Sequence, residues 1–379
     1  MFDYEILRLI WWAVLGVLLM GFAVMDGFDM GSASLLPFIG RNDSERRIII
    51  NTVGPVWEGN QVWLVLGGGA IFAAWPYLYA IAFSGFYFAM LVVLLTLILR
   101  PVAFKFRSKM PGARWRSVWD ACLCISGTVP PIIFGVAFGN ALQGVPFVFD
   151  DTMRMTYSGT FFELLNPFAL LCGVLSLSMF LLQGSCWLAV KTEGKVEKRA
   201  RKIAFAMAHI TPALFVFAGL WIMESIKGYR ITSAIDTQGP SNPMLKTVVT
   251  EVGIWVDNYQ RMPMTILVPF LVIIGVLLVL IGLKMKKPLT SFFGSSLVQM
   301  GIIGTAGVSM FPFLLPSSAD ANASLTVWDA SSSRGTLITM TLVTVVFLPI
   351  VLLYTSWVYR VLRGKVTAAH IKEQGDSLY

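Results

Sequence analysis

Apolar runs of about 20 residues, long enough to cross a bilayer core of about 30 Å, recur along the chain between short charged stretches. Nine such spans are predicted, at roughly residues 9–28, 56–75, 78–100, 118–141, 163–188, 203–225, 263–283, 290–315 and 336–359. The segment GVLLMGFAVMDG at 16–27 is echoed by GVLSLSMFLLQG at 173–184, and both precede a basic loop. A unit of four helices that recurs keeps its orientation, because four is even, so the copies are related by an axis along the membrane normal. The expected fold class is therefore all-α integral membrane, with two four-helix bundles plus one peripheral helix. Residues 1–160 form the first unit, 161–320 the second, and 330–379 the ninth helix and a tail, all in a single membrane domain spanning 1–379.

Charge orients this array. Alternate loops carry Arg41, Arg46 and Arg47, six bases between Arg100 and Arg116, six between Lys191 and Lys202, Lys284 with Lys286 and Lys287, and four in the tail. That is 22 of the 29 Lys and Arg residues on one side. The positive-inside rule makes that side the cytoplasm, which puts the N-terminus outside and the C-terminus inside. The net charge of +8 is thereby explained by topology and by attraction to anionic lipid headgroups, so no nucleic-acid partner is expected. With 56% hydrophobic and 13% charged residues, and a mean hydropathy of +0.73, composition agrees with the span count. The first span is too long and too well embedded to be a removable signal, so the mature chain is expected to start at Met1. The loops expected outside, 226–262 and 316–335, are too short for a catalytic domain, so any chemistry belongs to the helices.

The polar residues inside the spans carry the functional signal. GPVWEGNQVWLVLGGG, at 54–69, sets Glu58, Asn60 and Gln61 at the entry to an apolar run. Glu58 lies eleven residues past Arg47, up to roughly 16 Å along a helix, where a carboxylate costs about 2.5–3.5 kcal/mol unless protonated or solvated. Gly54 and Pro55 loosen the helix start and free backbone groups that can hold water. A proton-relay carboxyl and a cap at a helix entry both fit this pattern. In MDGFDMG, Asp26 and Asp29 stand at i and i+3, so they share a face that should point into protein or water; ordering of the basic loop that follows is the plainer account. The corresponding position in the repeat is Gln183.

Other chemistry is thin. Only His209 and His370 are available as haem-type ligands, and His370 falls in the tail. Cys122 and Cys124 stand two apart and point to nearly opposite helix faces, so they cannot clamp one metal, and LGGGA at 66–70 is a close-packing stretch rather than a phosphate cradle. No metal site, nucleotide motif or Ser/His/Asp arrangement is expected, and no catalytic residue is assigned to this chain.

A run of further motifs, MFDYEILRLIWW, DGFDMG, which reads as a turn, RNDSERR, VWEGNQVWL, FAAWP, AFSGFYFAM, RPVAF, FGVAFGNALQGVPF, MFPFLLPSS, SLTVWDASSS and the final SLY, resembles subunit II of the cytochrome bd family of quinol oxidases from end to end. The resemblance implies a bacterial inner-membrane complex that oxidises quinol and reduces oxygen to water with protons from the cytoplasm. It also implies haem b558, haem b595 and haem d ligated by a haem-bearing subunit I, possible addition of a small single-helix subunit, a structural quinone in some members, and no activity of this chain alone. Glu58 matches the family's acidic position on the proton pathway, Lys109 and Tyr379 match positions at its cytoplasmic mouth, and Trp63 matches the tryptophan at the entrance of an oxygen route. Lys105 departs from the aspartate of well-known members, and a fixed positive charge cannot relay protons in the same way. Because a desolvated carboxyl can take up and release protons near neutral pH, Glu58 is the expected relay, with Asp26 and Asp29 as further candidates. A secondary transporter and a purely structural assembly subunit remain as rival readings.

Overall fold

The structure, a computed structural model, describes residues 3–369 and Ile371. Twelve α-helices account for most of it: α1 (Tyr4–Ile39), α2 (Asp43–Val53), α3 (Trp57–Ala74), α4 (Pro76–Gly85), α5 (Tyr87–Phe106), α6 (Ala113–Gln143), α7 (Pro167–Lys191), α8 (Gly194–Ser225), α9 (Asp257–Arg261), α10 (Leu267–Lys284), α11 (Pro288–Met310) and α12 (Arg334–Val361). Among the described residues eight helices are long and apolar enough to cross a membrane: α1, α5, α6, α7, α8, α10 with the turn before it, α11 and α12. The expected span 56–75 is α3, whose 18 residues are made less apolar by Glu58, Asn60 and Gln61. The expected span 78–100 is divided, with Pro76 opening α4 and a break at Phe86 before α5.

The DGFDMG segment is helical rather than a turn, because α1 runs on unbroken to Ile39. Its 36 residues make a rod of about 54 Å, well beyond the thickness of a bilayer core. Tertiary packing outweighs the helix cost of its glycines. A Cβ on Gly31 would lie 2.0 Å from the Phe180 carbonyl oxygen, and one on Gly184 would lie 2.4 Å from the Gly31 carbonyl carbon. The backbones of α1 and α7 therefore touch, which is how small residues drive helix association where lipid removes the hydrophobic incentive. α7 packs on α1, α6, α8 and α11, and 72% of its apolar window is buried. α12 has 6% of its window buried and touches α1 and α3, so it stands at the edge.

Short antiparallel hairpins cap one end. β1 (Phe147–Phe149) pairs with β2 (Met155–Tyr157), β3 (Lys227–Ile231) with β4 (Val248–Val252), and β5 (Phe313–Leu315) with β6 (Leu325–Thr326). The long loops therefore fold onto the helix ends. Trp255 Nε1 donates to the Leu142 carbonyl at 3.0 Å and Tyr229 Oη to that of Gln143 at 3.1 Å, which satisfies the end of α6. Arg8, fully buried, donates from Nε to Ser331 Oγ at 2.8 Å and from Nη1 to the Thr237 carbonyl at 2.6 Å, with its guanidinium 3.7 Å from the Tyr4 ring centre. Lys246 and Asp329 form a buried 2.8 Å ion pair nearby; burial pulls the Lys246 ammonium below its ordinary value and Asp329 opposes this.

At the other end α2 begins at Asn42, whose Oδ1 accepts from Glu45 N at 2.9 Å, while the Glu45 carboxylate accepts from Arg41 N at 2.8 Å. Arg199 of α8 adds a 2.7 Å bond to Glu45 and holds that carboxyl below its ordinary range.

The glycine contact gives a prediction. Gly31→Val should cost about 3 kcal/mol through overpacking and lower both the yield and the thermal midpoint of the purified protein. Gly16→Ala, where nothing lies within 4 Å, should leave both unchanged or slightly raised. Equal tolerance of the two would contradict the packing.

Candidate functional site

The polar residues at the start of α3 separate onto two sides. Positions two apart on a helix differ by about 200°, so Asn60 and Glu58 cannot face the same way. Asn60 turns inward and is 2% exposed. Its Nδ2 donates to Asp29 Oδ2 at 2.7 Å, and its Oδ1 accepts from Tyr359 Oη of α12 at 2.7 Å. Asp26, one turn before Asp29 on α1, accepts from Arg100 Nη1 of α5 at 2.6 Å, with both side chains essentially buried. The shared inward face expected for Asp26 and Asp29 is thus the face they occupy. The cluster joins α1, α3, α5 and α12, and none of its members stands on the same helix as its bonded partner.

The cluster is not saturated by protein. Asp26 Oδ2, Asp29 Oδ1, and Nε and Nη2 of Arg100 are buried without a hydrogen-bond partner among the described residues. Polar groups left so in apolar surroundings cost a few kcal/mol each, so these atoms mark where water or protons can be held. Gln183, the counterpart of Asp26 in the repeat, behaves differently. Its amide donates to the Val24 carbonyl at 3.1 Å and to Ser296 Oγ at 3.0 Å and accepts from Ser295 Oγ at 2.5 Å, so it ties α7 to α1 and α11 with all its needs met.

Glu58 turns outward. It is exposed and makes no hydrogen bond or ion pair among the described residues. Gly59 is its neighbour, the exposed Val62, Val65 and Leu66 follow within about two turns, and Gly69 lies further along the helix; nothing is within 4 Å of a Cβ built on either glycine. Gln61 is half-buried. Trp63 is also half-buried and rests against α1 at Gly21, where a Cβ would be 2.6 Å from its ring.

The basic loop after α5 is more ordered than a mere charge excess. Arg107 donates from Nε to Asp120 Oδ1 at 2.5 Å and from Nη2 to Asp43 Oδ1 at 3.0 Å; Arg46 reaches Asp120 and Arg116 reaches Asp43, each at 2.8 Å. Lys105 and Lys109 are exposed beside this network. Tyr379 and His370 lie outside the described residues.

Sequence reading missed Arg100, Asn60 as distinct from Glu58, and Tyr359. Arg100 has a signal of its own, since it ends the apolar run that begins before Leu91, but by position it reads equally as the first base of the loop. Its partner Asp26 is 74 residues away, and no local pattern links them.

The described residues do not fit a haem. His209 stands on an exposed face of α8 with Nδ1 bonded to the Phe205 carbonyl at 2.8 Å, beside an open groove rather than an enclosed pocket. Among the described residues no three His, Cys, Asp or Glu side chains converge as a metal site.

What fold and site define is a polytopic helical membrane subunit whose polar chemistry is a buried acid–guanidinium cluster and one outward acid. The sequence profile described as "Cytochrome bd terminal oxidase subunit II" matches residues 7–362, and the chain belongs to that family. It is 51% identical over all 379 residues of both chains to the cytochrome bd-I ubiquinol oxidase subunit 2 of Escherichia coli K12. The probable cytochrome oxidase subunit 2 of Haemophilus influenzae is 50% identical over the same full length, and the cytochrome bd ubiquinol oxidase subunit 2 of Bacillus subtilis is 30% identical over 94% of this chain and 96% of its own. The fold is shared with a chain in the structure of bd oxidase from Geobacillus thermodenitrificans, at a TM-score of 0.71 and 16% identity, covering 94% of this chain and 98% of that one. Membership removes the transporter reading.

The buried pair is testable by itself. Arg100→Met leaves two carboxyls without their cation and should cost about 3–5 kcal/mol, seen as loss of assembled complex from membranes. Adding Asp26→Asn to Arg100→Met should recover part of that yield, because one of the two uncompensated carboxyls is gone. A double variant no better than the single would show that the pair is not the stabilising unit.

Proposed function

We propose that this chain is the subunit of a quinol-oxidising, oxygen-reducing complex that brings protons to haems ligated by its partner, subunit I. The observation that carries this reading is Glu58: an acid with no partner among the described residues, on an apolar glycine-lined face, two residues from Asn60 in the buried cluster. A carboxylate facing lipid is costly, so the face needs a protein cover, and glycines let a second helix come close. The outward face of α3 is then the contact with subunit I, and Glu58 stands at the boundary.

In this reading α3 counts as a ninth span, α4 and α5 together as the third, the helices form two four-helix units with α12 outside them, and the N-terminus lies outside the cell. The haem groups of the complex supply electron transfer to oxygen. This chain's own residues handle protons. Lys109 and Tyr379 stand at the cytoplasmic mouth where they enter, Lys105 holds the entrance positive in place of an acid, and Glu58 accepts and releases them at the boundary. Among the described residues Arg100 pairs with Asp26 alone, so with both acids ionised the cluster holds one excess negative charge that a proton on either would balance, and the Asn60 amide and Tyr359 hydroxyl keep Asp29 turned toward α3. Trp63, on the same helix, lines an oxygen route.

Glu58→Gln should leave assembly and haem content intact and lower oxygen consumption and membrane-potential generation in reconstituted vesicles by an order of magnitude or more, while Glu58→Asp retains most of both. Unchanged oxygen consumption and potential in the Gln variant would count against the relay.

A further inference from the structure

One groove lies apart from this machinery, between the basic ends of α8 and α10, and α3 takes no part in it. On α8, Lys198, Arg201 and Lys202 stand at i, i+3 and i+4, and Phe205 and His209 continue the same stripe toward the middle of the helix. From α10, Lys284 joins the cations while Leu280 and Leu283 join the apolar half. The groove has a volume of about 670 Å³, and among the described residues none that lines it is acidic. Phe205 and His209 pack with ring centres 4.7 Å apart, and the 2.8 Å bond from His209 Nδ1 to the Phe205 carbonyl fixes the imidazole.

Its cations are arranged to receive an anion. Arg201 donates from Nη2 to the Leu283 carbonyl across the α8–α10 seam, so the guanidinium is held at the rim. The neighbouring acid, Glu197, is 3.7 Å from Arg201 and 3.4 Å from Lys365. Among the described residues Lys198, Lys202 and Lys284 have no hydrogen-bond or ion-pair partner. Lys198 and Lys202 stand in the first three turns of α8, and Lys284 at the end of α10, on the rim of the same groove.

We propose that this groove is a binding site for an anionic phospholipid. The polarity along the groove matches that occupant: four cations at the membrane surface meet the phosphate, and Phe205, Leu280 and Leu283 beneath them meet the glycerol and upper acyl chain. The apolar half lies in the membrane-crossing part of both helices, each only 22% buried in its apolar window, where acyl chains are the surrounding medium. A free phosphate would use the cations and leave that half unfilled.

The test uses the purified complex of this chain with its partner, stripped of lipid and incubated with phosphatidylglycerol or phosphatidylethanolamine, with bound lipids counted by native mass spectrometry. The native complex should hold one more phosphatidylglycerol than the Lys198→Gln, Lys202→Gln, Lys284→Gln variant, whose apparent affinity for that lipid falls about tenfold or more, while phosphatidylethanolamine retention is equal in both. Should the triple variant fail to assemble, a phosphatidylglycerol with a photoreactive acyl chain, added to the native complex, decides the matter: adducts should map to residues 205–209 and 280–284 and survive excess inorganic phosphate. Equal phosphatidylglycerol retention by native and variant complexes, labelling at the groove no stronger than with the ethanolamine analogue, or displacement by inorganic phosphate would each overturn the proposal.

Discussion

A charge inside a bilayer has to be balanced by the protein around it, and the 2.6 Å contact between Asp26 and Arg100 is where this chain meets that demand. Pairing those residues fixes α5 against α1 at one depth. Once Asp26 is placed, the helix period turns Asp29 to the same interior, and Asp29 in turn needs the amide of Asn60, which sets the rotation of α3. Tyr359 completes the chain of contacts by docking the otherwise exposed α12 onto Asn60. Four helices are positioned by five polar side chains.

Rotation of α3 has a chemical consequence. With Asn60 directed inward, Glu58 must point away from the bundle, because the two are separated by about 200°. The acid that stands out in the sequence is therefore not part of the buried cluster but sits on the opposite face, among glycines and branched apolar residues. Gln183, fully bonded to α1 and α11, holds helices together, while Asp26, Asp29 and Arg100 keep hydrogen-bonding capacity unmet among the described residues.

Hydrophobic runs made most of the helices legible, because a span of apolar residues has one stable form in lipid. Family motifs, being numerous and in order, made the family legible too. What stayed hidden needs three dimensions. The α1 extension past DGFDMG rests on Gly31 meeting the α7 backbone, and no local signal tells a helical glycine in such a contact from one in a turn. The break between α4 and α5 hid inside a continuous apolar run. Arg100 read as one more loop base because its acid lies 74 residues earlier, and Arg46, Arg107 and Arg116 read as unpaired topology markers although Asp43 and Asp120 hold them. Inward-facing Asp26 and Asp29 were legible, since i and i+3 acids share a face whatever the partner.

The central claim is that Glu58 stands where this chain meets its haem-bearing partner, and cross-linking from that face tests it most directly. A photoreactive residue in place of Val62, one turn from Glu58, in the assembled membrane complex should form a covalent adduct with the partner polypeptide, whereas the same residue in place of Val216 on α8 should capture lipid. Lipid adducts alone from position 62 would place Glu58 against the bilayer and contradict the account.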